Sequence, residues 1–129
     1  MALQYTNEND TPVTLVTTNE TVVATVANLC TQRRGQQIYI GFTGSVTVGT
    51  AGTAVVLRLR RGTTAAGIPV GNAVTVLAAA AAEPSVAAGW NDFPGDVAGQ
   101  SYVVTAQQTA ATGNGTFNQS ATNAVIGNP

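Results

Sequence analysis

The sequence predicts an all-β protein, an antiparallel β-sandwich of jelly-roll or Greek-key type with about eight strands. Segments rich in β-branched residues recur at short spacing along the 129 residues, and Gly, Asn and Pro separate them. Almost no segment has the apolar period of a helix. Because the first residues are polar, we predict an N-terminal arm at 1–11 and a single sandwich domain at 12–129.

Four strands are predicted in the first half of the chain. They have alternating or β-branched residues and cover 12–18, 20–27, 36–48 and 53–61. The four residues GTAG at 49–52 separate the last two of these strands. Their length and composition fit a hairpin loop, so we expect these two strands to pair with each other.

The second half continues the pattern. Strands are predicted at 72–80, after a Gly-rich loop that contains Pro, and at 100–110 and 115–126, which flank a tight-turn signal at Asn114-Gly115. Pro94-Gly95 fits a type II turn. Tyr102 follows it at the start of a strand. This placement fits either a tyrosine corner, in which the hydroxyl bonds to upstream backbone, or an ordinary half-buried strand tyrosine.

The Ala-rich segment 77–90 allows two interpretations. Ala is the best helix former, so a short helix from Leu77 to Glu83, stopped by Pro84, is one. Such a helix has only about two turns, too few to be stable unaided. Val74 and Val76 enter the segment with period-2 spacing. We therefore favour a strand whose small side chains let another surface approach closely.

Composition excludes several classes of partner. Charged residues make up 9% of the chain and the net charge is −1, so a bulk electrostatic hold on nucleic acid is not expected. No apolar run approaches the roughly 20 residues of a membrane helix, and the polar N-terminus does not match a secretory signal. We expect synthesis in a cytoplasm, with no nucleic-acid or membrane partner. A low-charge surface suits a subunit packed against other subunits.

Residue types also argue against catalysis. His and Lys are absent, which excludes Ser-His-Asp and Cys-His catalysis, His-based metal sites and Schiff bases. We therefore predict no enzyme activity, no small-molecule substrate and no cofactor.

The single cysteine, Cys30, is interpreted as a small buried thiol. Asp92 and Asp96 flank the Pro-Gly turn and are interpreted as turn formers, in preference to a Ca²⁺ site.

The only tryptophan, Trp90, is a candidate for contact with a partner. Aromatic side chains dominate both core and interface energetics, so we expect Trp90 to plug one end of the sandwich or to lie in an interface. With Phe93 three residues on, an exposed platform for stacking sugars is the alternative.

Three of the five basic residues lie in the strand VVLRLRRG at 55–62. Alternation puts Leu57, Leu59 and Arg61 on the core face, and Arg58 and Arg60 on the other. Two adjacent arginines in a chain with few charges favour salt bridges to carboxylates on a neighbouring subunit. A plain solvent-facing strand and a nucleic-acid contact are the alternatives. Arg33-Arg34 is interpreted as part of a loop that enters a strand.

The order of these features resembles small virion proteins of tailed bacteriophages. The resemblance rests on ETVVATVANLCTQRRGQQIYIGFTGSVTV, TAVVLRLRRGTTAAGIPVG and DFPGDVAGQSYVVTAQQTAATGNGTF and covers roughly residues 12 to 126. It implies a jelly-roll, tumour-necrosis-factor-like β-sandwich that assembles as a homotrimer. It also implies a place in the virion, as a capsid decoration (cement) protein or a head fibre.

The expected function is accordingly a decoration protein on the outer capsid surface, with the major capsid protein as partner. The expected subunit or capsid interface comprises Leu3 and Tyr5, as anchors of the N-terminal arm, with Arg58, Arg60 and Trp90. The alternative is a receptor- or carbohydrate-binding tip domain of a tail or fibre. Its site would consist of Trp90, Phe93, Tyr102 and the polar loops.

Overall fold

The computed structural model describes residues 3–9, 11–16, 18–31, 36–48, 54–77, 85–94, 99–109 and 115–127. Within these residues the chain forms nine β-strands and no α-helix, and hence no helix that could cross a membrane. The strands are β1 (Leu3–Asn9), β2 (Val13–Leu15), β3 (Thr21–Leu29), β4 (Ile38–Thr47), β5 (Ala54–Arg61), β6 (Pro69–Leu77), β7 (Ser85–Asp92), β8 (Gln100–Gln108) and β9 (Gly115–Ile126).

The strand pairs are antiparallel and nested around the turn between β5 and β6. β5 pairs with β6, β4 with β7, β3 with β8, and β2 with β9. Successive pairs alternate between two sheets. Sheet A has the order β1-β9-β4-β7, with β2 also on β9, and sheet B has the order β3-β8-β5-β6. One long hairpin wound across two sheets is a jelly roll, so the predicted fold class is confirmed.

The core lies between the two sheets and is built from alternate residues of each strand. In β5, Leu57 and Leu59 are at most 1% exposed, whereas the arginines between and after them are only partly buried. In sheet A, Phe42 and Phe117 contact each other with ring centroids 5.6 Å apart. Each buried side chain of this size contributes about 1.5–3 kcal/mol through removal of apolar surface from water.

The predicted strands are largely present, with shifted ends. β9 has the predicted bounds, and the ends of β3, β4, β5 and β8 lie within two residues of the predicted ones. β6 begins three residues earlier than predicted, at Pro69, because proline is tolerated at the first position of a strand. The prediction for 12–18 shortens to the three residues of β2.

The predicted hairpin across 49–52 is wrong. β4 belongs to sheet A and β5 to sheet B, so the chain crosses between the sheets where a hairpin was expected. The same holds for β8 and β9, which flank Asn114-Gly115. Loop length and composition fit a short connection in both cases, and they do not distinguish a turn within one sheet from a crossing between two.

The N-terminal segment, expected to be an arm, contributes a strand to sheet A. β1 pairs with β9 from Leu3↔Ile126 to Asn9↔Ser120. Its polar residues hid this strand from composition-based reasoning, because a sheet edge with one solvent-facing side accepts polar side chains. The side chains of Leu3 and Tyr5 lie outside the described residues, so their interface role stays a prediction.

Cys30 is exposed, so its interpretation as a buried thiol is wrong. Leu29, at 0% exposure, takes the inward position at the end of β3, and alternation turns the next residue outward. The Cys30 Sγ accepts a hydrogen bond from the Gly99 amide at 3.3 Å. The Ala run and Pro84 lie outside the described residues, as do Arg33-Arg34, Gly95 and Asp96.

Candidate functional site

The outer face of sheet B carries an ion-pair cluster of Glu20, Arg58, Arg60 and Thr105, which we name the Glu20 cluster. Arg60 donates two hydrogen bonds to the carboxylate, with Nε 2.5 Å from Oε2 and Nη2 2.8 Å from Oε1. The Thr105 hydroxyl donates to Oε2 at 2.8 Å, and Arg58 Nη1 lies 3.5 Å from Oε1. One carboxylate therefore pairs with both outward-facing arginines.

The strand register places these groups together. Arg58 is the cross-strand partner of Thr105 on β8, and β3, which Glu20 directly precedes, lies on the other side of β8. Further bonds from the same chain fix both guanidinium groups. Arg60 Nη1 donates to the Gly67 carbonyl at 2.9 Å, and Arg58 Nη1 donates to Gln107 Oε1 at 2.7 Å.

The acid that the two arginines require thus comes from their own chain. A carboxylate on a neighbouring subunit was expected from the sequence. The alternation pattern does not contain the strand order, which brings Glu20 next to the arginines across β8. The side chains of Arg58 and Arg60 are 29% and 17% exposed. Contact of these side chains with a partner stays a prediction. Glu20 supplies one negative charge to two arginines, so these three residues keep a net charge of +1.

Electrostatics keep the Glu20 cluster ionised. The hydrogen bond from Arg60 lowers the pKa of Glu20 below its ordinary value, and burial, which opposes this, is outweighed with the help of Thr105. The same bond raises the pKa of Arg60. A general acid or base needs a pKa near the pH at which it works. The pKa of Glu20 is shifted in the opposite direction, away from neutral pH.

A second cluster, of Arg61, Asp92 and Tyr102, joins the two sheets; we name it the Asp92 cluster. Arg61, the last residue of β5, binds Asp92, the last residue of β7, through Nε–Oδ2 at 2.8 Å and Nη2–Oδ1 at 2.6 Å. The Tyr102 hydroxyl on β8 donates to Oδ2 at 2.7 Å. The carboxylate belongs to sheet A and both of its donors belong to sheet B.

The Asp92 cluster corrects the sequence interpretation of its members. Tyr102 is 1% exposed and bonds to a carboxylate, so it forms neither a corner to upstream backbone nor a half-buried strand position. Asp92 was interpreted as a turn former, and in the structure it forms an ion pair with Arg61 of the opposite sheet. Burial raises the pKa of Tyr102, as does Asp92. Burial alone would raise the pKa of Asp92, but the bonds from Arg61 and Tyr102 hold it below its ordinary value.

Trp90 lies in the core and is 4% exposed. Its indole Nε1 donates to the Asn72 carbonyl of β6 at 2.9 Å, so it links the end of β7 to the opposite sheet. This is the predicted plug within the sandwich, and it leaves no ring face for a partner or a sugar. Phe93, 62% exposed, lies outside the core. The two aromatic side chains therefore do not form the stacking platform considered above.

The outer face of sheet A is lined by small side chains. One row runs across it from Glu8 through Ala121 and Thr43 to Ala87, and two shallow cavities of about 480 and 530 Å³ adjoin along this row. Tyr39, 42% exposed, is the large side chain of this face. A Cβ on Gly89 would lie 2.5 Å from the Tyr39 hydroxyl, so the ring lies against the sheet.

Within the part of the chain that the structure describes, the carboxylates of the two clusters are paired with arginine, and the cavities are open to solvent. Among the described residues, no group of three or more Cys, Asp or Glu side chains could hold a metal ion. The charged side chains of both clusters form ion pairs within the chain.

The nested strand pairs and two facing sheets define a jelly-roll sandwich of the kind found in viral capsid proteins. The solved structure of the Gx strain of infectious bursal disease virus is similar, with a TM-score of 0.59 and 12% identity over 98% of this chain and 32% of that chain. The crystal structure of the VP2 subviral particle of infectious bursal disease virus is also similar, with a TM-score of 0.63. The sequence identity is 11%, over 97% of this chain and 32% of that chain.

These similarities show the fold alone, because the identities are low. This chain spans about a third of the length of the virus proteins that it matches. No protein-family model matches the chain, and no curated protein sequence matches it.

Proposed function

We propose that the protein is a structural component of a virion, and specifically a capsid decoration (cement) protein that binds the outside of a tailed-phage head as a homotrimer and stabilises it. The observation that carries the proposal is the jelly-roll match to infectious bursal disease virus structures over 97–98% of the chain. The sequence resemblance to tailed-phage virion proteins supports the finer assignment. In this role the protein is not an enzyme and has no small-molecule substrate.

Surface chemistry supports a packing role. The chain has eleven charged residues, and five of them lie in the two clusters. Four of these form the pairs Glu20–Arg60 and Arg61–Asp92, and the fifth is Arg58. Depletion of charge is typical of the buried part of protein interfaces. A chain with few charges, several of them neutralised internally, fits a subunit that packs against copies of itself and against the major capsid protein.

The alternative function, a receptor- or carbohydrate-binding tip domain, loses the residues on which it was based. Trp90 and Tyr102 are buried in the sandwich, and of the three aromatic residues only Phe93 is exposed. A sugar-stacking site needs an accessible ring face. We therefore propose the decoration role alone.

We place the capsid contact at the end of the sandwich that carries the Asp92 cluster. Ile68 and Phe93 are 68% and 62% exposed there. Ile68 accepts a hydrogen bond from the Arg61 amide, and Phe93 follows Asp92 directly. These two exposed apolar side chains lie beside the Arg61–Asp92 ion pair. Burying them against a partner would stabilise the complex. Val16, 45% exposed, follows the end of β2 near the opposite end.

Particle composition tests the proposed role. We expect the protein in purified heads, in a fixed ratio to the major capsid protein, when heads and tails are separated and analysed by mass spectrometry. Light scattering of the isolated protein should give at least three times the mass of one chain. Presence in the tail fraction, or absence from particles, would contradict the decoration role, and a monomer that persists at high concentration would contradict the trimer.

Binding to heads that lack the protein tests the contact surface. The double substitution Ile68→Ser and Phe93→Ser should weaken binding by roughly a hundredfold, because two buried apolar anchors are each worth about 1–2 kcal/mol. Val16→Ser is the matched control and should bind as the wild type does. Equal loss with the control, or no loss with the double variant, places the contact elsewhere.

A further inference from the structure

Among the described residues each sheet has two edges, and the edges differ in how they are protected. An edge strand presents backbone N–H and C=O groups that can pair with another chain, and proteins protect such edges with bulges, prolines, charges or covering side chains. The edges here are β1 with β2, and β7, in sheet A, and β3 and β6 in sheet B.

The β3 edge is irregular and covered. Its pairing with β8 shifts register twice, between Val22 and Ala24 and between Val26 and Leu29. Side chains from sheet A take two of its carbonyl groups. Asn7 Nδ2 donates to the Thr25 carbonyl at 2.6 Å, and the Ser120 hydroxyl donates to the Val23 carbonyl at 3.3 Å. A further strand cannot pair along this edge without displacing these bonds.

The β1–β2 and β6 edges are interrupted. β1 and β2 lie on the same side of β9 but are separated by a break that contains Pro12. β6 begins at Pro69, has Gly71 at φ 66°, and shifts register against β5 between Leu57 and Leu59. Its Asn72 carbonyl already accepts the Trp90 bond. Proline and bulges are the usual protection of edges.

The β7 edge, within its described residues, has neither a bulge nor a proline. It pairs with β4 without a register shift over eight consecutive residues, from Ile38↔Asp92 to Ser45↔Ser85. Its sequence, SVAAGWND, contains no proline, and its one charged residue, Asp92, is turned inward to Arg61. This strand is a regular edge of eight residues, and its outward-facing positions carry no charge.

We propose that β7 pairs antiparallel with β7 of a second copy of this chain, across a two-fold axis, and so joins two copies of sheet A into one continuous sheet. Strand alternation requires that facing positions lie on the same side of the sheet. A register centred on Ala88 satisfies this and sets Ala87 opposite Gly89, and Val86 opposite Trp90.

A second copy fits this edge because the strand is self-complementary. The outer positions Ser85, Ala87, Gly89 and Asn91 are small and uncharged, so a rotated copy brings no like charges together and no bulky pair. The small-residue row of sheet A, which ends at Ala87, then continues into the partner. The contact has a two-fold axis and can link two of the proposed trimers, but it does not depend on a place in a virion.

A lysine at the edge tests the pairing in the isolated protein. Ala87→Lys should raise the dissociation constant of the two-fold contact at least roughly tenfold in sedimentation velocity over a concentration series, because an edge lysine blocks strand addition. Thr43→Lys is the matched control. Thr43 is the cross-strand partner of Ala87 on β4, also exposed and on the same face, but one strand inside the edge. Its association should be unchanged.

Cross-linking tests the register. In a Cys30→Ser background, Ala88→Cys should form a symmetric disulfide under mild oxidation, because directly opposed strand residues lie about 4.5–5.5 Å apart at Cα. Ser85→Cys should not, since its two copies would be about 20 Å apart. The proposal is overturned if Ala88→Cys stays uncross-linked, if Ser85→Cys cross-links instead, or if Thr43→Lys disrupts association as strongly as Ala87→Lys.

Discussion

Replacing Asp92 with Asn should lower the free energy of unfolding by about 3 kcal/mol, which is the low end of the range for breaking a buried ion pair. Asp92 is 7% exposed, and the substitution keeps its shape while removing the charge that holds Arg61. The low end applies because the Arg61 side chain is 34% exposed and regains some hydration. Urea denaturation at neutral pH measures the change.

Two further variants show whether the charge of Asp92 is responsible. Tyr102→Phe removes one hydrogen bond to the carboxylate but leaves the ion pair, and should cost about 1.5 kcal/mol. Arg61→Met combined with Asp92→Asn should be less destabilised than the sum of the single variants, because the two residues share one interaction. If the losses of unfolding free energy in Arg61→Met and Asp92→Asn add up to the loss in the double variant, the two side chains do not interact. That result would refute the ion pair of the Asp92 cluster.

The pH dependence of stability follows from the same residue. The pKa of Asp92 is lower in the folded protein than the ordinary value of about 3.9 for an unfolded chain. A lowered pKa contributes stability that is fully present above the unfolded pKa and is lost as pH falls through the folded one. The difference in unfolding free energy between wild type and Asp92→Asn should therefore shrink from about pH 5 downward. A difference that is constant down to about pH 2 contradicts the ion pair.

Replacing Glu20 with Gln should lower the free energy of unfolding by about 2 kcal/mol, because hydrogen bonds to a charged group are each worth about 1.5–3 kcal/mol and the amide keeps part of them. Glu20 holds Arg60 through two bonds and Thr105 through one, and its side chain is 16% exposed. Without the carboxylate, two arginines remain side by side on β5 with no acid between them.

Glu8→Gln is the matched control for this substitution. Glu8 is an exposed carboxylate on β1, and its replacement should change stability by less than about 0.5 kcal/mol. The pair of variants also decides between two assignments of the acid partner. If Glu20→Gln leaves unfolding unchanged but weakens self-association, the arginines bind a neighbouring subunit. A loss of stability at concentrations where the chain is monomeric supports the intrachain cluster.

Strand positions were predictable from the sequence because alternation and β-branched residues act locally. β9 was predicted with its bounds, and the alternation in β5 correctly put Leu57 and Leu59 in the core with Arg58 and Arg60 outside. β1 was missed because its residues are polar, and nothing local distinguishes a polar edge strand from an arm. Cys30 was wrongly interpreted as buried from its residue type; it follows the buried Leu29 and is exposed.

Strand order was not predictable, and the candidate site depends on it. The Glu20 cluster connects residues 38 to 85 positions apart along the chain, and the Asp92 cluster brings the ends of β5 and β7 together across two sheets. Trp90 was expected either to plug the sandwich or to lie in an interface. It is buried within the chain, and its partner, the Asn72 carbonyl, lies on the opposite sheet. A count of carboxylates could have pointed to Glu20, since the arginines needed an acid and the chain has six.

The position of β9 sets the time at which this protein can fold. β9 lies between β4 and the β1–β2 edge of sheet A, so it is a central strand built from the last residues of the described chain. A ribosome releases β1, β2 and β4 long before residues 115–126. Until then sheet A has a gap at its centre, and folds dominated by distant contacts form slowly. The chain therefore completes its jelly roll after translation has passed β9, and a truncation before Gly115 leaves no sheet A that can close.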